Sequence, residues 1–121
     1  MGQLEKEIQI KEITWVMLEL GMPVNLRGYH YLREAVWLSA EDMELVGSVT
    51  KLLYPEIAKR YHTEYEKIER AIRSVIEVGW ERGKESLYEE ILGYSKGSGA
   101  ARPSNSEFIA AMADWVRMKE R

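Results

Sequence analysis

The segment from residue 54 to residue 82 constrains the fold of this chain more than any other. It contains two helical patterns separated by a tight break at His62 and Thr63. Pro55 suits the first turn of the first helix, where its missing N–H is not needed. Thr63 and Glu66 have the spacing of a capping box, which predicts that Thr63 is the N-cap of the second helix. The segment therefore predicts a helix-turn-helix unit.

The apolar residues of this segment fit two helices that cross in contact. Those of the second helix recur at helical spacing and predict one buried face: Ile68, Ala71, Ile72, Val75 and Ile76. In the first helix the small side chain of Ala58 would let the second helix approach closely, with Ile57 and Tyr61 flanking the turn. His62 would occupy the turn, because the left-handed backbone region tolerates histidine better than most side chains.

The polar residues of the second helix would then form its outer face. They are Lys67, Glu69, Arg70, Arg73 and Ser74. In a DNA-binding helix-turn-helix this face enters the major groove, where arginine can donate two hydrogen bonds to the edge of a guanine. A solvated helix face shows the same alternation, since Arg and Glu one turn apart form ion pairs. The pattern alone therefore leaves DNA binding and a simple helical hairpin about equally open.

Composition restricts the classes of protein to which the chain can belong. Its 121 residues suit one domain, over residues 1–121, with its own core. The absence of cysteine excludes a disulfide framework and a thiolate metal site, and it fits a reducing cytoplasm. No apolar run approaches the ~20 residues of a transmembrane helix, so we expect no membrane contact.

Catalytic and metal-binding patterns are missing from the sequence. Its two histidines stand apart, and no Ser/His/Asp set or Gly-rich phosphate loop is present. Glu41, Asp42 and Glu44 cluster at the predicted start of a short helix, where acidic residues favour the helix dipole. A metal site formed by these carboxylates is the more specific alternative, but no His or Cys accompanies them. We therefore expect no enzyme, no metal and no cofactor.

Charge is distributed unevenly along the chain, whose formal net charge is −3. Residues 1–50 carry 4 Lys/Arg and 8 Asp/Glu, residues 51–84 carry 8 and 6, and residues 85–121 carry 5 and 6. The three segments thus have net charges of −4, +2 and −1. Only the segment with the helix-turn-helix is positive, and a local basic face matters more for phosphate contacts than the global sum. The net negative charge predicts that any DNA binding is sensitive to salt.

Helical periodicity continues over the rest of the chain, and no strand pattern is evident. Further helices are predicted over residues 4–20, 29–40, 86–92 and from about 104 onward, with a short one after residue 41. Ser104 and Glu107 form a second capping box, and Trp15 is expected to pack beside the buried face of the first helix. The sequence therefore predicts an all-α, compact bundle of about six helices around a central helix-turn-helix.

Two polar segments outside the second helix suit contacts with the DNA backbone. Ser48, Thr50 and Lys51 lie just before the helix-turn-helix and offer hydroxyl and ammonium groups to a phosphate. Residues 95–104 form a loop rich in Gly and Ser that carries two cations. This loop is either a mobile surface loop or a basic loop that touches phosphates.

Four blocks, in one order, span nearly the whole chain: GYHYLREAV, ELVGSVTKLLYPEIAKRY, IERAIRSVIEVGWERG and RPSNSEFIAAMAD. Together they resemble the C-terminal effector domain of the stage-zero sporulation response regulator. The resemblance implies a six-helix fold with a helix-turn-helix at its centre and sequence-specific binding of double-stranded DNA at a short promoter box, often in tandem copies. It also implies activation or repression of transcription, partly through the sigma subunit of RNA polymerase.

The resemblance places base-reading side chains on the outer face of the second helix, at Lys67, Glu69, Arg70 and Arg73, with Ser74 beside them. Glu69, Arg70 and Arg73 match the family pattern. Lys67 stands where the family usually has Arg and lacks its planar fork. Ser74 replaces a His, and Glu66 replaces a Ser. These changes alter the expected DNA box.

The resemblance also implies phosphate contacts near Lys51, Arg102, Ser104 and Asn105. It places the polymerase-facing region at residues 81–94, where this chain diverges from the family. Family members carry an N-terminal receiver domain, whereas residues 1–21 predict only a helix. We therefore expect no receiver domain within these residues, which form either an excised effector domain or a free-standing relative, and they support no phosphorylation switch.

One alternative keeps the fold and changes the function. The net negative charge, together with Glu64 and Glu66 at the groove-facing end of the second helix, also suits a helical protein-interaction module without specific DNA binding. Retention of DNA, or of protein partners alone, distinguishes the two hypotheses.

Overall fold

Helices account for nearly all of the regular structure. The computed structural model describes residues 2–94 and 101–119. Its α-helices are α1 (Gln3–Glu19), α2 (Arg27–Glu41), α3 (Tyr54–Arg60), α4 (Tyr65–Arg82), α5 (Glu85–Leu87) and α6 (Asn105–Lys119). A 3₁₀ segment (Met43–Ser48) and a π-helical turn (Val49–Leu53) lead into α3, and a second π-helical turn (Tyr88–Leu92) follows α5. The predicted all-α class with a central helix-turn-helix is confirmed.

The central element is α2, which packs against α1, α4 and α6. Its core side chains include Leu32, Ala35 and Val36, which are fully buried. Gly28 lies where α2 approaches the backbone of α4: a Cβ at this position would stand 1.9 Å from the carbonyl oxygen of Ala71. Only glycine permits this approach, so α2 fixes the position of α4 and leaves the opposite face of α4 to the solvent.

Helix α1 buries one face and exposes another that is also apolar. Helical spacing predicts a buried stripe of Ile10, Ile13, Met17 and Leu20; the last three are fully buried, as is Val16, whereas Ile10 is half-buried. Trp15 is 59% exposed, so the prediction that it packs is wrong. At 100° per residue, Trp15 points about opposite to the centre of the buried set, and the neighbouring helices lie on the other side.

The turn between α3 and α4 is built as a Schellman motif. His62 has φ 54°, as predicted for the turn residue. The amide of Thr63 donates to the carbonyl oxygen of Ala58 at 2.9 Å. The amide of His62 donates to the carbonyl oxygen of Lys59 at 3.4 Å. The prediction that Thr63 caps α4 is therefore wrong, because Thr63 completes the end of α3. Glu64 is the N-cap of α4 and makes no side-chain cap hydrogen bond.

Two other helix starts follow their predicted chemistry. Asp42 caps the 3₁₀ segment and accepts a hydrogen bond from the amide of Glu44 at 3.1 Å. The predicted capping box of α6 is confirmed: the Ser104 amide donates to Glu107 Oε1 at 2.9 Å, and the Glu107 amide donates to Ser104 Oγ at 3.2 Å. The hydrogen bond from the Ser104 amide lowers the pKa of the Glu107 carboxyl. Across the described ranges, none of the helices has both the length and the apolarity needed to cross a membrane.

Candidate DNA-binding surface

Helix α4 separates its buried and exposed residues as the spacing predicts. Its buried side is formed by Ile68, Ile72, Val75, Ile76 and Gly79, with Ala71 half-buried. Lys67, Arg70, Arg73 and Ser74 are exposed, and Glu69 is half-exposed. All five predicted base-contacting residues therefore lie at the surface, and the terminal helix α6 does not cover them.

A cleft of about 320 Å³ brings several of the predicted residues together beside α4. It is lined by Thr50, Tyr54, Glu69, Arg73, Arg102, Pro103, Ser104, Asn105 and Ser106. Two predicted base contacts and four predicted phosphate contacts thus share one concave surface. The other five predicted residues lie outside the cleft: Ser48, Lys51, Lys67, Arg70 and Ser74.

The predicted phosphate contacts differ in exposure. Thr50 and Lys51 are exposed on the π-helical turn before α3, Arg102 and Ser104 are exposed before α6, and Ser48 and Asn105 are half-buried. The predicted basic loop falls largely on residues 95–100, which lie outside the described residues. Two separate segments of the chain thus present polar groups beside α4, and the cleft brings Thr50 of one segment close to Arg102 and Ser104 of the other.

Asn105 ties α6 to the helix-turn-helix. Its Nδ2 donates to the Tyr54 hydroxyl at 3.0 Å and to the Glu69 carbonyl oxygen at 2.9 Å. An amide nitrogen has two hydrogens, and both are used in these bonds. The side chain of Asn105 therefore holds three elements in register, and its own donors are already satisfied inside the protein.

The arginines of this surface are held by different partners. Arg73 forms an ion pair with Glu69 one turn earlier on α4, and this carboxylate raises the pKa of the Arg73 guanidinium. Arg102 Nη2 lies 2.8 Å from Glu77 Oε1, which joins the segment before α6 to α4. Arg70 forms no ion pair within the described part of the chain. The Arg70 guanidinium is thus the one on this face that a ligand can engage without displacing a carboxylate.

Tyr54 belongs to this surface although the sequence analysis did not select it. Tyr54 lines the cleft and accepts the hydrogen bond from Asn105, and its burial raises the pKa of its hydroxyl. Tyr65 is 45% exposed in the first turn of α4. It falls on the apolar side of α4, three residues before Ile68 and seven before Ile72, so it lies off the polar face. No local pattern marks Tyr54, because its role depends on the distant residue Asn105.

Comparison with known protein families decides the assignment. Residues 13–116 match the family described as sporulation initiation factor Spo0A C terminal. The chain belongs to this family. The match spans α2 to α6 and begins within α1, so it includes the complete helix-turn-helix. The resemblance drawn from the four sequence blocks is confirmed.

Membership in the Spo0A C-terminal family sets the general function. The family consists of DNA-binding domains that regulate transcription in sporulation, and it is not a family of enzymes. Double-stranded DNA is accordingly the partner that the family supports. The exposed face of α4 and the adjacent cleft are the surface on which this chain can meet it.

Proposed function

We propose that this chain is a sequence-specific transcription regulator that reads a short promoter box by placing α4 in the major groove. The observation that supports this most is the exposure of Lys67, Arg70 and Arg73 on one face of a helix whose opposite face is fixed against α2. A rigid helix with cations on its free side is the arrangement used by helix-turn-helix regulators.

In this proposal the base contacts are made over two turns of α4. Lys67 to Ser74 spans about 10 Å along the helix axis, which corresponds to about three base pairs. Arg70 lies at the centre of this span and forms no ion pair with any residue that the structure describes, so it donates to a guanine edge. Glu69 orients Arg73 and accepts from a cytosine amino group.

Phosphate contacts come from two segments of the chain that lie beside the helix. Thr50 and Lys51 reach the backbone from the turn before α3, and Ser48 lies behind them. Arg102 and Ser104 reach it from the start of α6, where the helix dipole also favours a phosphate. Asn105 contributes through position, because its side-chain donors hold Tyr54 and Glu69.

Further partners follow from the same proposal. Residues 81–94 carry four exposed carboxylates, at Glu81, Glu85, Glu89 and Glu90. We propose this acidic segment as the surface that contacts the RNA polymerase sigma subunit. We also propose that the protein binds DNA in tandem copies. Such a regulator acts on the nucleoid in the cytoplasm.

The decisive experiment selects a preferred duplex from a random library and measures its binding by fluorescence anisotropy. We expect Arg70→Ala to lose ~1–3 kcal/mol of binding free energy on the selected box and little on a random duplex. Arg82→Ala is the matched control, because Arg82 is exposed on the same helix beyond the proposed contacts. Equal, weak binding of all duplexes by the unmodified chain would rule out a sequence-specific regulator.

A second candidate function rests on the charge at the start of α4. Glu64 and Glu66 are both exposed at the end of the helix that would enter the groove. Their repulsion of phosphates favours a helical protein-interaction module that has kept the fold without specific DNA binding. Recovery of protein partners by the immobilised chain, with no retention of any duplex, would favour this candidate.

A further inference from the structure

Helix α1 carries a second apolar stripe on the side that faces away from the core. Leu4, Ile8, Trp15 and Leu18 are 69%, 49%, 59% and 50% exposed. With Lys11, which is also exposed, they are spaced alternately four and three residues apart. This is the spacing of the seam of a coiled coil. The stripe is therefore suited to contact with another helix, although no described element of this chain covers it.

Acidic side chains border this stripe. Glu5, Glu12 and Glu19 follow one another at seven-residue intervals and so form a row along one edge, and Glu7 lies at the other edge. All four reach the surface, since Glu5 and Glu7 are exposed and Glu12 and Glu19 are half-exposed. In coiled coils the residues at these edges select the partner through their charge.

The charges oppose pairing of α1 with a second copy of itself. In a parallel pair Glu7 would face Glu12 of the other copy, and in an antiparallel pair Glu12 would face Glu12 and Glu5 would face Glu19. Like charges across an interface are unfavourable in either orientation. The row of carboxylates instead complements lysine or arginine side chains.

We propose that the outward face of α1 is a docking surface for a basic amphipathic helix of a partner protein. The apolar side of that helix covers Leu4, Ile8, Trp15 and Leu18, and its cations, seven residues apart, pair with Glu5, Glu12 and Glu19. Seventeen residues make α1 about 25 Å long, which gives room for about four turns of a partner.

A cleft at the border of α1 and α6 offers a place for the apolar side of the docked helix. It has a volume of about 400 Å³ and is lined by Lys11, Glu12, Trp15, Trp115 and Lys119. An apolar side chain of the docked helix can enter this cleft beside Trp15, whereas the ring of Trp115 is covered by Lys119, whose Nζ lies 4.7 Å from the ring centroid. Aromatic side chains that line such pockets commonly contribute a large share of the binding energy. Trp15 is therefore the expected anchor of the complex.

The docking surface is separate from the proposed DNA-reading face. Both α1 and α4 pack on α2, and neither packs substantially on the other. Leu4, Ile8 and Lys11 also lie before residue 13, where the family match begins. The inference is thus independent of the proposed DNA reading, and a variant in one surface leaves the other available as a control.

The test uses two designed helical peptides of about 21 residues, or three heptads. Both have the same leucine and isoleucine seam; one is flanked by lysine and the other by glutamate. We expect isothermal titration calorimetry with the full chain to show binding of the lysine peptide and at least tenfold weaker binding of the glutamate peptide. Trp15→Ser should weaken binding of the lysine peptide at least tenfold. Val24→Ser, at a residue 53% exposed but off the stripe, should not.

Charge reversal gives the sharper outcome. The triple variant Glu5→Lys, Glu12→Lys and Glu19→Lys should bind the glutamate peptide in preference to the lysine peptide, whereas Glu41→Lys on α2 should leave the preference unchanged. The proposal is overturned if both peptides bind equally, if neither binds, or if charge reversal fails to reverse the preference. It is also overturned if sedimentation shows that the chain pairs through Trp15 with a second copy.

Discussion

The outer faces of α4 and α1 are both exposed, but they are exposed in opposite ways. On α4 the free face is polar, with Lys67, Arg70 and Arg73 at the surface and every large aliphatic side chain turned inward. On α1 the free face is apolar, and its charges stand at the edges. One face suits phosphates and base edges, whereas the other suits the apolar side of a helix. The comparison shows that an exposed helix face indicates a class of partner through its residue types.

The same comparison explains where periodicity succeeds. Over residues 65–76 of α4 the apolar residues occupy one side only, so their spacing identifies the buried side and, by difference, the exposed one. On α1 apolar residues occur all round the helix. Spacing there correctly predicts that Ile13, Met17 and Leu20 are buried, but it adds Ile10, which is half-buried, and misses Val16.

The largest expected effect tests this distinction between buried and exposed apolar residues. Ile72→Ala on α4 removes a fully buried side chain, and we expect it to lower the free energy of unfolding by ~2–5 kcal/mol. Trp15→Ala on α1 removes a larger but exposed side chain, and we expect a change within ~0.5 kcal/mol. Urea denaturation followed by circular dichroism measures both. A large loss at Trp15 would mean that the outer face of α1 is covered within the chain itself.

The next effect concerns how the DNA-reading face is held in place. Gly28→Ala places a Cβ against the carbonyl oxygen of Ala71, so α2 and α4 must separate. We expect a loss of ~1–3 kcal/mol in thermal or urea unfolding. Gly47→Ala is the matched control, since a Cβ there meets nothing within 4 Å. Equal stability of the two variants would show that α4 is not fixed by its contact with α2.

The fold also shows which features of this molecule can be predicted from its sequence. Local chemistry predicted the helices, the turn at His62 and the capping box of Ser104 and Glu107, because each depends on residues close together in the chain. The N-cap of α4 was misplaced at Thr63, since the amide of Thr63 is bonded to Ala58 of the preceding helix. At this position the hydrogen bond that ends α3 occurs in place of the one that would have capped α4.

The candidate site was predictable in its residues but not in its internal contacts. The outer face of α4 follows from helical spacing alone. The hydrogen bonds of Asn105 to Tyr54 and Glu69 join positions 51 and 36 residues apart, and the ion pair of Arg102 with Glu77 spans 25. Such contacts depend on how α6 packs against α4, which no spacing rule expresses. The structure therefore identifies which cations of this surface already form ion pairs, and the sequence alone does not.

The smallest expected effect tests the consequence of that pairing. Glu77→Gln removes the carboxylate that holds Arg102 and leaves the guanidinium free for a phosphate. Because exposed ion pairs contribute up to ~1 kcal/mol, we expect duplex affinity to rise by no more than about fivefold. The rise should be the same for the selected box and for random duplex, since phosphate contacts carry no sequence information.

Fluorescence anisotropy at two salt concentrations measures this change, and Glu81→Gln is the matched control. It removes the same charge one turn later on α4, at a residue that forms no ion pair in the described part of the chain. A gain specific to Glu77→Gln would show that Arg102 reaches the DNA backbone once it is released. A change in the preferred box would instead mean that Glu77 or Arg102 contacts a base, which would extend the reading face of α4 by a full turn toward its C-terminal end.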